Sequence, residues 1–297
     1  MEWTYSEGGD PRKPTLLLLH GLSGTRDNWN RVARYLTPNY HVIIPDLPAH
    51  GETIVADQFD LSIPNLTEKL RRFIDAAKLD PNLHIAGHSM GGAIAMLYSA
   101  QYPLEVKSLL LVDSAGVFKS SNTAYLKDTA KLAELVVRKT GDFDRVMKIV
   151  MQSPPFIPQE LKIGQEKLMI VQSKQTNKMV EQLQKMATLY TPESFALAAR
   201  GIDAPVFIIW GKQDQIINVE VAEELRRLFK KSRKASDFRP CWSYANLRSG
   251  AVNGVAIFKV SFNCSMNKIG KVGEKKARNI LLFLIKSYAL NRFKFVL

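Results

Sequence analysis

The chain has 297 residues, of which 46% are hydrophobic and 9% aromatic. This composition is typical of a soluble globular protein and excludes a disordered or fibrous one. Its apolar runs are all shorter than the ~18 to 20 residues that span a membrane, and the basic-then-apolar opening of a secretion signal is missing. From these features we expect a cytoplasmic protein without a transmembrane segment. The two cysteines provide for neither a disulfide framework nor a zinc cluster.

The net charge of +13 is unevenly distributed along the chain. From residue 231 onward there are 14 Lys and Arg against 2 Asp and Glu, which leaves a net charge of +1 for the first 230 residues. Cys241 and Cys264 also lie beyond residue 231, whereas all five histidines precede residue 89. The basic character therefore belongs to residues 231–297, here called the tail, and does not indicate a nucleic-acid partner for the rest of the chain.

Short apolar runs alternate with helical patterns in the first 230 residues. Nearly continuous apolar runs predict strands buried on both faces of a parallel sheet, and they lie at Thr15–Leu19, His41–Ile44, Leu83–Ala86, Lys107–Val112 and Pro205–Trp210. The helical patterns cover Asp27–Leu36, Leu66–Ala77, Gly91–Gln101 and Val219–Phe229. This alternation predicts an α/β protein with a doubly wound, mostly parallel sheet, whose ligand site lies at the carboxyl ends of the strands.

One interval, residues 116–200, has no apolar strand but contains amphipathic helical stretches such as Tyr125–Lys139 and Lys178–Leu189. Helices inserted between two core strands predict a helical cap over the sheet. We therefore divide the chain into four parts. Residues 1–115 form the first part of the core, 116–200 the cap, 201–230 the second part of the core, and 231–297 the atypical basic tail.

The sequence Gly87-His88-Ser89-Met90-Gly91-Gly92 follows the third apolar run and precedes a helical pattern. It fits the G-x-S-x-G nucleophile elbow, in which a serine sits on a strained strand-to-helix turn and the flanking glycines let the backbone pass closely. The helix N-terminus beside it favours developing negative charge. Ser89 is therefore the predicted nucleophile. The alternative is a serine in a tight turn without a chemical role.

An oxyanion hole needs two N–H donors. One is expected from Met90, the residue after the serine, and the other from Leu22 in the loop 20–24. In that loop we expect His20 to be a structural brace rather than a proton carrier. Asp214 follows a late strand and is placed to orient a histidine. Asp113, after the preceding strand, is the alternative acid, and a solvated loop carboxylate is the alternative interpretation of Asp214.

Together these motifs resemble the α/β-hydrolase family, in its monoacylglycerol lipase branch with the related bacterial lipases. The resemblance runs from about residue 3 to about residue 229 and rests on His20-Gly-Leu-Ser-Gly24, Pro45-Asp-Leu-Pro-Ala-His-Gly51, Gly87-His-Ser-Met-Gly-Gly92, Val112-Asp-Ser-Ala-Gly116 and Ile209-Trp-Gly-Lys-Gln-Asp-Gln215. It implies Ser89 as nucleophile, Asp214 as triad acid and Leu22 and Met90 as oxyanion donors. It also implies no cofactor, and a small-molecule ester or lipid as substrate.

The sequence departs from this family at the catalytic histidine. The family has that residue after the acid, in a Gly-His-x-Pro context, and the corresponding place here is Trp242-Ser243. No histidine exists beyond His88, so no catalytic histidine is found. His41 and His84 lie in predicted buried strands, His50 lies in a loop that is structural in the family, and His88 is expected to point away from the cleft. Loss of a triad member typically lowers kcat by orders of magnitude.

The tail is consistent with a displaced reading frame. When the codons implied by Cys241 to Asn246 are read one nucleotide later, they can spell Val-Gly-His-Met-Pro, with the glycine forced by the Trp242 codon. Lys230-Lys231 implies an A-rich run where slippage could occur. We therefore interpret the tail as a frameshift product; a genuine but divergent tail is the alternative.

Three classes of function follow from these observations. The first is a serine esterase acting on acylglycerols or other esters, impaired without its histidine and in transient contact with a membrane surface. The second is a non-catalytic ligand-binding protein on a hydrolase scaffold. The third is a protein that binds nucleic acid or an anionic surface through the tail, but basic residues interleaved with aromatics on one face, which it would need, are not seen.

Overall fold

A computed structural model describes residues 1–151, 154 and 156–229, and the backbone of residues 255–258. Within this part of the chain seven strands form one sheet, in the spatial order β1-β3-β2-β4-β5-β6-β7. The strands are β1 Tyr5–Gly8, β2 Thr15–Leu19, β3 His41–Pro45, β4 Leu83–His88, β5 Val106–Val112, β6 Val206–Gly211 and β7 Val255–Phe258. The predicted catalytic histidine position at Trp242-Ser243 lies outside the described residues.

The five central strands run parallel, and the two edge strands are antiparallel to their neighbours. The chain begins at the edge strand β1, continues to β2 in the interior of the sheet, adds β3 between β1 and β2, and then crosses to β4 on the other side of β2. The strand order therefore reverses between β2 and β4. In open α/β sheets the crevice for a ligand lies at such a reversal, at the carboxyl ends of the strands.

Helices cover both faces of the sheet. They are α1 Asn30–Leu36, α2 Ile63–Ala76, α3 Met90–Gln101, α4 Ala124–Lys127, α5 Asp142–Val150, α6 Gln159–Val171, α7 Ser173–Leu189, α8 Pro192–Arg200 and α9 Glu220–Leu228, with 3₁₀ turns at Arg26–Trp29 and Thr129–Leu135. Leu17 and Leu19 face one core layer with residues of α2 and α3, and Leu16 and Leu18 face the other layer with Val32 of α1. Burial on both faces explains the continuous apolar runs.

The structure confirms the doubly wound, mostly parallel sheet, but it corrects one helix. The pattern at Tyr125–Lys139 predicted one helix, whereas α4 ends at Lys127 and a 3₁₀ turn follows. Asp128 interrupts the helix because its backbone is extended and its side chain accepts a hydrogen bond from the Ala130 N–H, which caps the next turn. A side chain that bonds to its neighbouring backbone competes with helix continuation.

The helices inserted between β5 and β6 pack onto the carboxyl edge of the sheet. Thr123 Oγ1 donates to the Ile216 carbonyl over 2.7 Å, and the Asn122 N–H donates to Asn218 Oδ1 over 2.9 Å. Gln172, between α6 and α7, donates to the Gly51 carbonyl over 3.1 Å. These contacts place the inserted helices beside the loops that follow β3 and β6. The division into cap and core at residues 116 and 200 stays a prediction. None of the helices in the described part of the chain has the length and apolar character of a membrane span.

Candidate active site

Ser89 lies at the turn between β4 and α3, on the carboxyl edge of the sheet. Its backbone has φ 49° and ψ −118°, a left-handed conformation that is strained for a residue with a Cβ atom and costs on the order of 1–3 kcal/mol. Four hydrogen bonds hold this conformation. The Ser89 N–H donates to the Val112 carbonyl over 3.0 Å, and the Ser89 carbonyl accepts from the N–H groups of Gly92 and Ala115 at 2.9 Å each and of Ala93 at 3.2 Å.

A close backbone approach explains the glycine that follows the serine by two residues. A Cβ atom on Gly91 would lie 2.5 Å from the carbonyl oxygens of both Leu19 and His20. The first turn of α3 therefore rests directly on the end of β2. This contact brings the loop after β2 next to Ser89, across the reversal in strand order.

The loop 20–24 lies against the serine side chain. A Cβ atom on Gly21 would lie 3.1 Å from Ser89 Cβ and 2.9 Å from His88 Nδ1, so only glycine fits there without displacement. Among the described residues, no acceptor is found for the Leu22 N–H or the Met90 N–H. Met90 is the residue after Ser89, and Leu22 follows Gly21 in the loop that contacts the Ser89 side chain. Their assignment as oxyanion donors stays a prediction.

His20 braces this loop from within. Its Nε2 accepts a hydrogen bond from the Leu47 N–H at 2.9 Å, and its Nδ1 lies 2.9 Å from the Gly21 carbonyl, which it meets as a donor. Both ring nitrogens are thereby used. Burial is the main cause that lowers the pKa of His20 well below its ordinary value, and the neighbouring His50 lowers it further, so the ring is neutral. The arrangement favours a structural role over proton transfer, as expected from the sequence.

Asp46, at the end of β3, also shapes this edge and was missed by the sequence analysis. Its carboxylate is fully buried, accepts from the backbone N–H groups of Arg26 at 2.7 Å and Glu52 at 3.0 Å, and pairs with the Arg26 guanidinium. It therefore ties the segment after β2 to the loop after β3. Its position directly after a predicted strand was the signal that could have identified it.

Asp214 lies in the loop after β6 and is half-buried. Its Oδ1 accepts hydrogen bonds from the N–H groups of Ile216 at 2.8 Å and Ile217 at 2.9 Å. Burial, and then the charge of Asp113, raises the pKa of Asp214 to about 7. Asp214 is thus a held carboxyl group in a polar turn, not a freely solvated one.

Asp113 follows β5, between the strands that precede Ser89 and Asp214. It is buried and has a φ of 44°, and its Oδ1 accepts from the Gly211 N–H at 2.6 Å. Ser89 and Asp214 therefore follow strands that are two positions apart in the sheet, with strand axes about 10 Å apart. In a catalytic triad an imidazole lies between the serine and the acid.

Three histidines are remote from Ser89 or enclosed. His41 begins β3, and its Nε2 contacts Glu7 Oε1. His84 lies near the start of β4, and its Nδ1 is 2.7 Å from Ser108 Oγ. Five residues of extended strand put His84 about 16 Å from Ser89. His50 is buried, with Nδ1 3.0 Å from the Pro48 carbonyl and no partner for Nε2 among the described residues.

His88, which is expected to point away from the cleft, lies next to the loop 20–24, and the direction of its ring relative to the cleft stays a prediction. Its ring lies against Gly21 and keeps solvent exposure on the carboxyl edge of the sheet. His88 is thus the histidine nearest the serine in the chain, on the side of the loop 20–24.

Comparison with known proteins gives consistent matches. The model of the family Abhydrolase_1, described as alpha/beta hydrolase fold, matches residues 14–238. Lipase 1 from Psychrobacter immobilis is 33% identical over 232 residues, covering 77% of this chain and 71% of the relative. Monoacylglycerol lipase ABHD6 from Homo sapiens is 29% identical over 236 residues, covering 76% of this chain and 69% of the relative.

Comparison with solved structures gives matches over a similar share of the chain. The protein lip1 from Acinetobacter baumannii AYE is 64% identical with a TM-score of 0.76, and the similarity covers 77% of this chain and 76% of that one. A bacterial membrane phospholipase A is 36% identical with a TM-score of 0.71, covering 77% of this chain and 72% of that one. The family match ends at residue 238, close to the change in composition at residue 231.

Proposed function

Because the chain belongs to the α/β-hydrolase fold family and is a carboxylic ester hydrolase of the lipase type, we propose that Ser89 is its nucleophile and forms an acyl-enzyme. The observation that supports this most directly is the strained turn at Ser89, with Gly21 packed against its Cβ atom. Such a turn presents the hydroxyl at the sheet edge and leaves room for a carbonyl carbon beside it.

In the proposed reaction Ser89 Oγ attacks the ester carbonyl, and the carbonyl oxygen acquires negative charge. The N–H groups of Leu22 and Met90 donate to that oxygen, and the N-terminus of α3 adds a favourable dipole. The tetrahedral intermediate collapses by breaking the bond to the alcohol, which leaves as the acyl group stays on Ser89. Water then attacks the acyl-enzyme through the same oxyanion site and releases the carboxylic acid.

The proposed reaction also needs proton transfer, and this chain lacks the histidine that carries the proton in the family. The serine proton needs an acceptor, and the leaving alcohol needs a donor, and both tasks fall to a histidine oriented by an acid. Asp214 is the proposed acid, because its loop holds it at the carboxyl edge two strands from Ser89. Both ring nitrogens of His20 are bonded, and His41 and His84 lie at or near the start of their strands, at the opposite edge of the sheet. We propose that activity is impaired in this sequence.

The missing histidine and the tail have one explanation. The family match stops near the residue where charge, cysteine and histidine content change together. A reading frame displaced after Lys231 can encode a histidine in a Gly-His-Met-Pro context at position 243, where the family has its own. We propose that the natural enzyme has that histidine and that the tail 231–297 is a frameshift product.

The proposed substrates are lipid-type esters such as monoacylglycerols or other acyl esters. Several relatives are named as lipases or monoacylglycerol lipases. The inserted helices provide an apolar cluster of Phe143, Met147 and Met151, although such packing also serves helix stability alone. No nucleic-acid partner is proposed. We place the protein in the cytoplasm, in transient contact with lipid.

A second candidate is a non-catalytic binding protein on the same scaffold. The observation that favours it concerns the pair Asp113 and Asp214. No described imidazole lies between this pair and Ser89, and the pKa of Asp214 is raised to about 7. An ester that binds without turnover in both the given chain and a frame-restored version would support this candidate.

Trapping the acyl-enzyme tests the proposal. A version of the chain with the reading frame restored after Lys231 is mixed with a long-lived acyl donor, such as a p-nitrophenyl carbamate, and digested for mass spectrometry. We expect the added acyl mass on the peptide with Ser89 and none on Ser89→Ala. An adduct on any other residue, or none at all, would contradict the nucleophile assignment.

A further inference from the structure

One side of helix α2 combines apolar and cationic side chains. Lys69, Phe73 and Ala76 follow at intervals of four and three residues, and Arg72 is three residues from Lys69, so all four share that side. Phe73 is buried, and its ring lies against the ring of Trp3 with a centroid distance of 4.8 Å. This side of α2 therefore meets the residues that precede β1.

A cavity of about 670 Å³, here called the α2 cavity, lies between this side of α2, Trp3 and the segment 54–59. Its lining is mostly apolar. Val55 is buried, Phe59 is half-buried, and Ile54 is exposed. Sites for small molecules typically have volumes of ~300–1,000 Å³ and are lined by apolar and aromatic side chains with few polar groups. The α2 cavity has the size and the lining of such a site.

Hydrogen bonds fix the segments on two sides of the α2 cavity. The Thr4 N–H donates to the buried Thr53 Oγ1 at 3.0 Å, and the Asp46 N–H donates to the Thr4 carbonyl at 2.9 Å. Within the segment 54–59, the Phe59 N–H donates to the Ala56 carbonyl at 3.0 Å. The residues before β1 and the segment 54–59 are thereby held next to the end of β3, so the cavity is preformed.

The charges around the α2 cavity leave one lysine unneutralised. None of the residues that line the cavity is acidic. Arg72 pairs with Glu68 at 3.0 Å, and Asp57, in the segment 54–59, pairs with Lys174 at 2.8 Å. Lys69 lines the cavity and forms no ion pair with any residue that the structure describes. The cavity therefore presents a positive charge.

This charge lies close to the apolar lining, because Lys69 Nζ is 5.9 Å from the centroid of the Phe59 ring. An ammonium group beside apolar walls matches a ligand that has an anionic head and a hydrocarbon chain. A carboxylate accepts a charge-assisted hydrogen bond from an ammonium group, whereas a neutral head leaves the charge unpaired. The tail is a poor occupant, because its 14 Lys and Arg against 2 Asp and Glu give it the same sign of charge.

We propose that the α2 cavity binds a free fatty carboxylate, with the carboxylate on Lys69 and the hydrocarbon chain against Trp3 and Phe59. The cavity is separate from the proposed ester site. Strands β1 and β4 are three positions apart in the sheet, with axes about 14 Å apart, and no residue of the loop 20–24 or the turn 88–92 lines the cavity. The inference rests on the proposed function for its ligand class, because ester hydrolysis releases such an acid. Binding itself needs no turnover.

Quenching of tryptophan fluorescence by 11-bromoundecanoate tests the location, because bromine quenches a tryptophan that it contacts. Trp3 lines the cavity, whereas Trp29 and Trp210 are buried elsewhere. We expect saturable quenching in the full chain and loss of most of it in Trp3→Phe, which keeps an aromatic ring against Phe73. Quenching that persists unchanged in Trp3→Phe would place the acid at another site and overturn the proposal.

The charge is tested by titration calorimetry with decanoate below its micelle concentration. Lys69→Glu replaces attraction by repulsion, and the matched control is Lys148→Glu, an exposed lysine of α5 that does not line the cavity. We expect Lys69→Glu to weaken decanoate binding about tenfold or more and Lys148→Glu to change it less than about twofold, with both effects reduced by salt. Lys69→Glu should also bind decyltrimethylammonium more tightly than the parent does. Equal melting temperatures show that the variants fold, and equal effects of the two variants would contradict the proposal.

The hydrocarbon chain is tested by comparing octanoate, decanoate and decan-1-ol. We expect the affinity to rise about threefold for each added methylene group and decan-1-ol to bind more weakly than decanoate. Binding of decan-1-ol as tight as that of decanoate would exclude a carboxylate site.

A second copy of the chain is the competing occupant. If decanoate shows no saturable binding and Lys69→Glu abolishes a concentration-dependent dimer in analytical ultracentrifugation, the cavity belongs to a self-association surface and the proposal is wrong. Failure of the proposed function has a different signature: decanoate would bind to the parent and to Ser89→Ala alike, yet a frame-restored version would hydrolyse no ester.

Discussion

The Gly211 N–H donates a hydrogen bond to Asp113 Oδ1 over 2.6 Å and joins the end of β6 to the residue that follows β5. The loop with Asp214 starts at this fixed point, and the Asp214 N–H in turn donates to the Gly211 carbonyl at 3.1 Å. Asp113 thus positions the loop that contains Asp214. Its carboxylate also contributes, after burial, to the raised pKa of Asp214.

Asp214→Asn should stabilise the protein at alkaline pH. The pKa of Asp214 is raised from an ordinary 3.8 to about 7, so the folded state holds the proton more tightly than the unfolded state. The free energy of unfolding therefore decreases as pH rises through this window. Removing the charge restores about 1 to 3 kcal/mol above pH 7. We expect the melting temperature of Asp214→Asn to exceed that of the parent by roughly 2 to 10 °C at pH 8, with little difference at pH 4.

Asp80→Asn is the matched control for that experiment. Asp80 is exposed, and hydrogen bonds from the backbone and side chain of Asn82 lower its pKa. A lowered pKa adds stability above the ordinary value, and this stability is lost as pH falls. Asp80→Asn should therefore leave the melting temperature at pH 8 unchanged or lower. A higher value for both variants would show that the effect at Asp214 is not specific to its burial beside Asp113.

Gly91→Ala and Gly164→Ala should change stability in opposite directions. The new Cβ at position 91 would meet the backbone oxygens of Leu19 and His20 at 2.5 Å, so the start of α3 must move away from β2. We expect a loss of about 3 kcal/mol. At position 164 the new Cβ meets nothing within 4 Å, and alanine in a helix should gain about 0.5–1 kcal/mol over glycine. Urea unfolding of both variants measures the difference, and losses of equal size would argue against the close contact.

Gly21→Ala should impair catalysis more than folding. Its Cβ would press on His88 and on Ser89 Cβ at about 3 Å and displace the loop with the Leu22 N–H. Loss of one oxyanion donor typically lowers kcat about 10²–10³-fold. In a frame-restored version we expect a fall in kcat of about that size with KM nearly unchanged. A variant that keeps full kcat would exclude Leu22 as a donor.

The sequence allowed the sheet, most helices and the turn at Ser89 to be predicted, because those features depend on local patterns. Apolar runs indicate strands that are buried on both faces, and two glycines around a serine indicate a close approach of the backbone. Gly91 illustrates this, because a Cβ atom there would collide with the carbonyl oxygens at the end of β2.

Other features depend on residues far apart in the chain. The role of Asp46 requires that the loops after β2 and β3 meet, and the orientation of His88 depends on the position of Gly21. The interruption at Asp128 results from one side-chain cap that outweighs the helical pattern around it. The orientation of α6 could not be predicted from its apolar residues alone, since Glu166 accepts from the Gly141 N–H at the start of α5 and Lys162 pairs with Asp144 of α5.

The proposed nucleophile Ser89 needs a histidine that the tail 231–297 does not provide. A side-by-side assay of p-nitrophenyl butyrate hydrolysis tests it, using the given chain, a version with the reading frame restored after Lys231, and Ser89→Ala of each. We expect the restored version to exceed the given chain in kcat on the order of 10³-fold or more, and Ser89→Ala to remove that gain. If the given chain matches the restored one and loses its activity on Ser89→Ala, then another group, such as His88 or His50, is the base and the account is wrong.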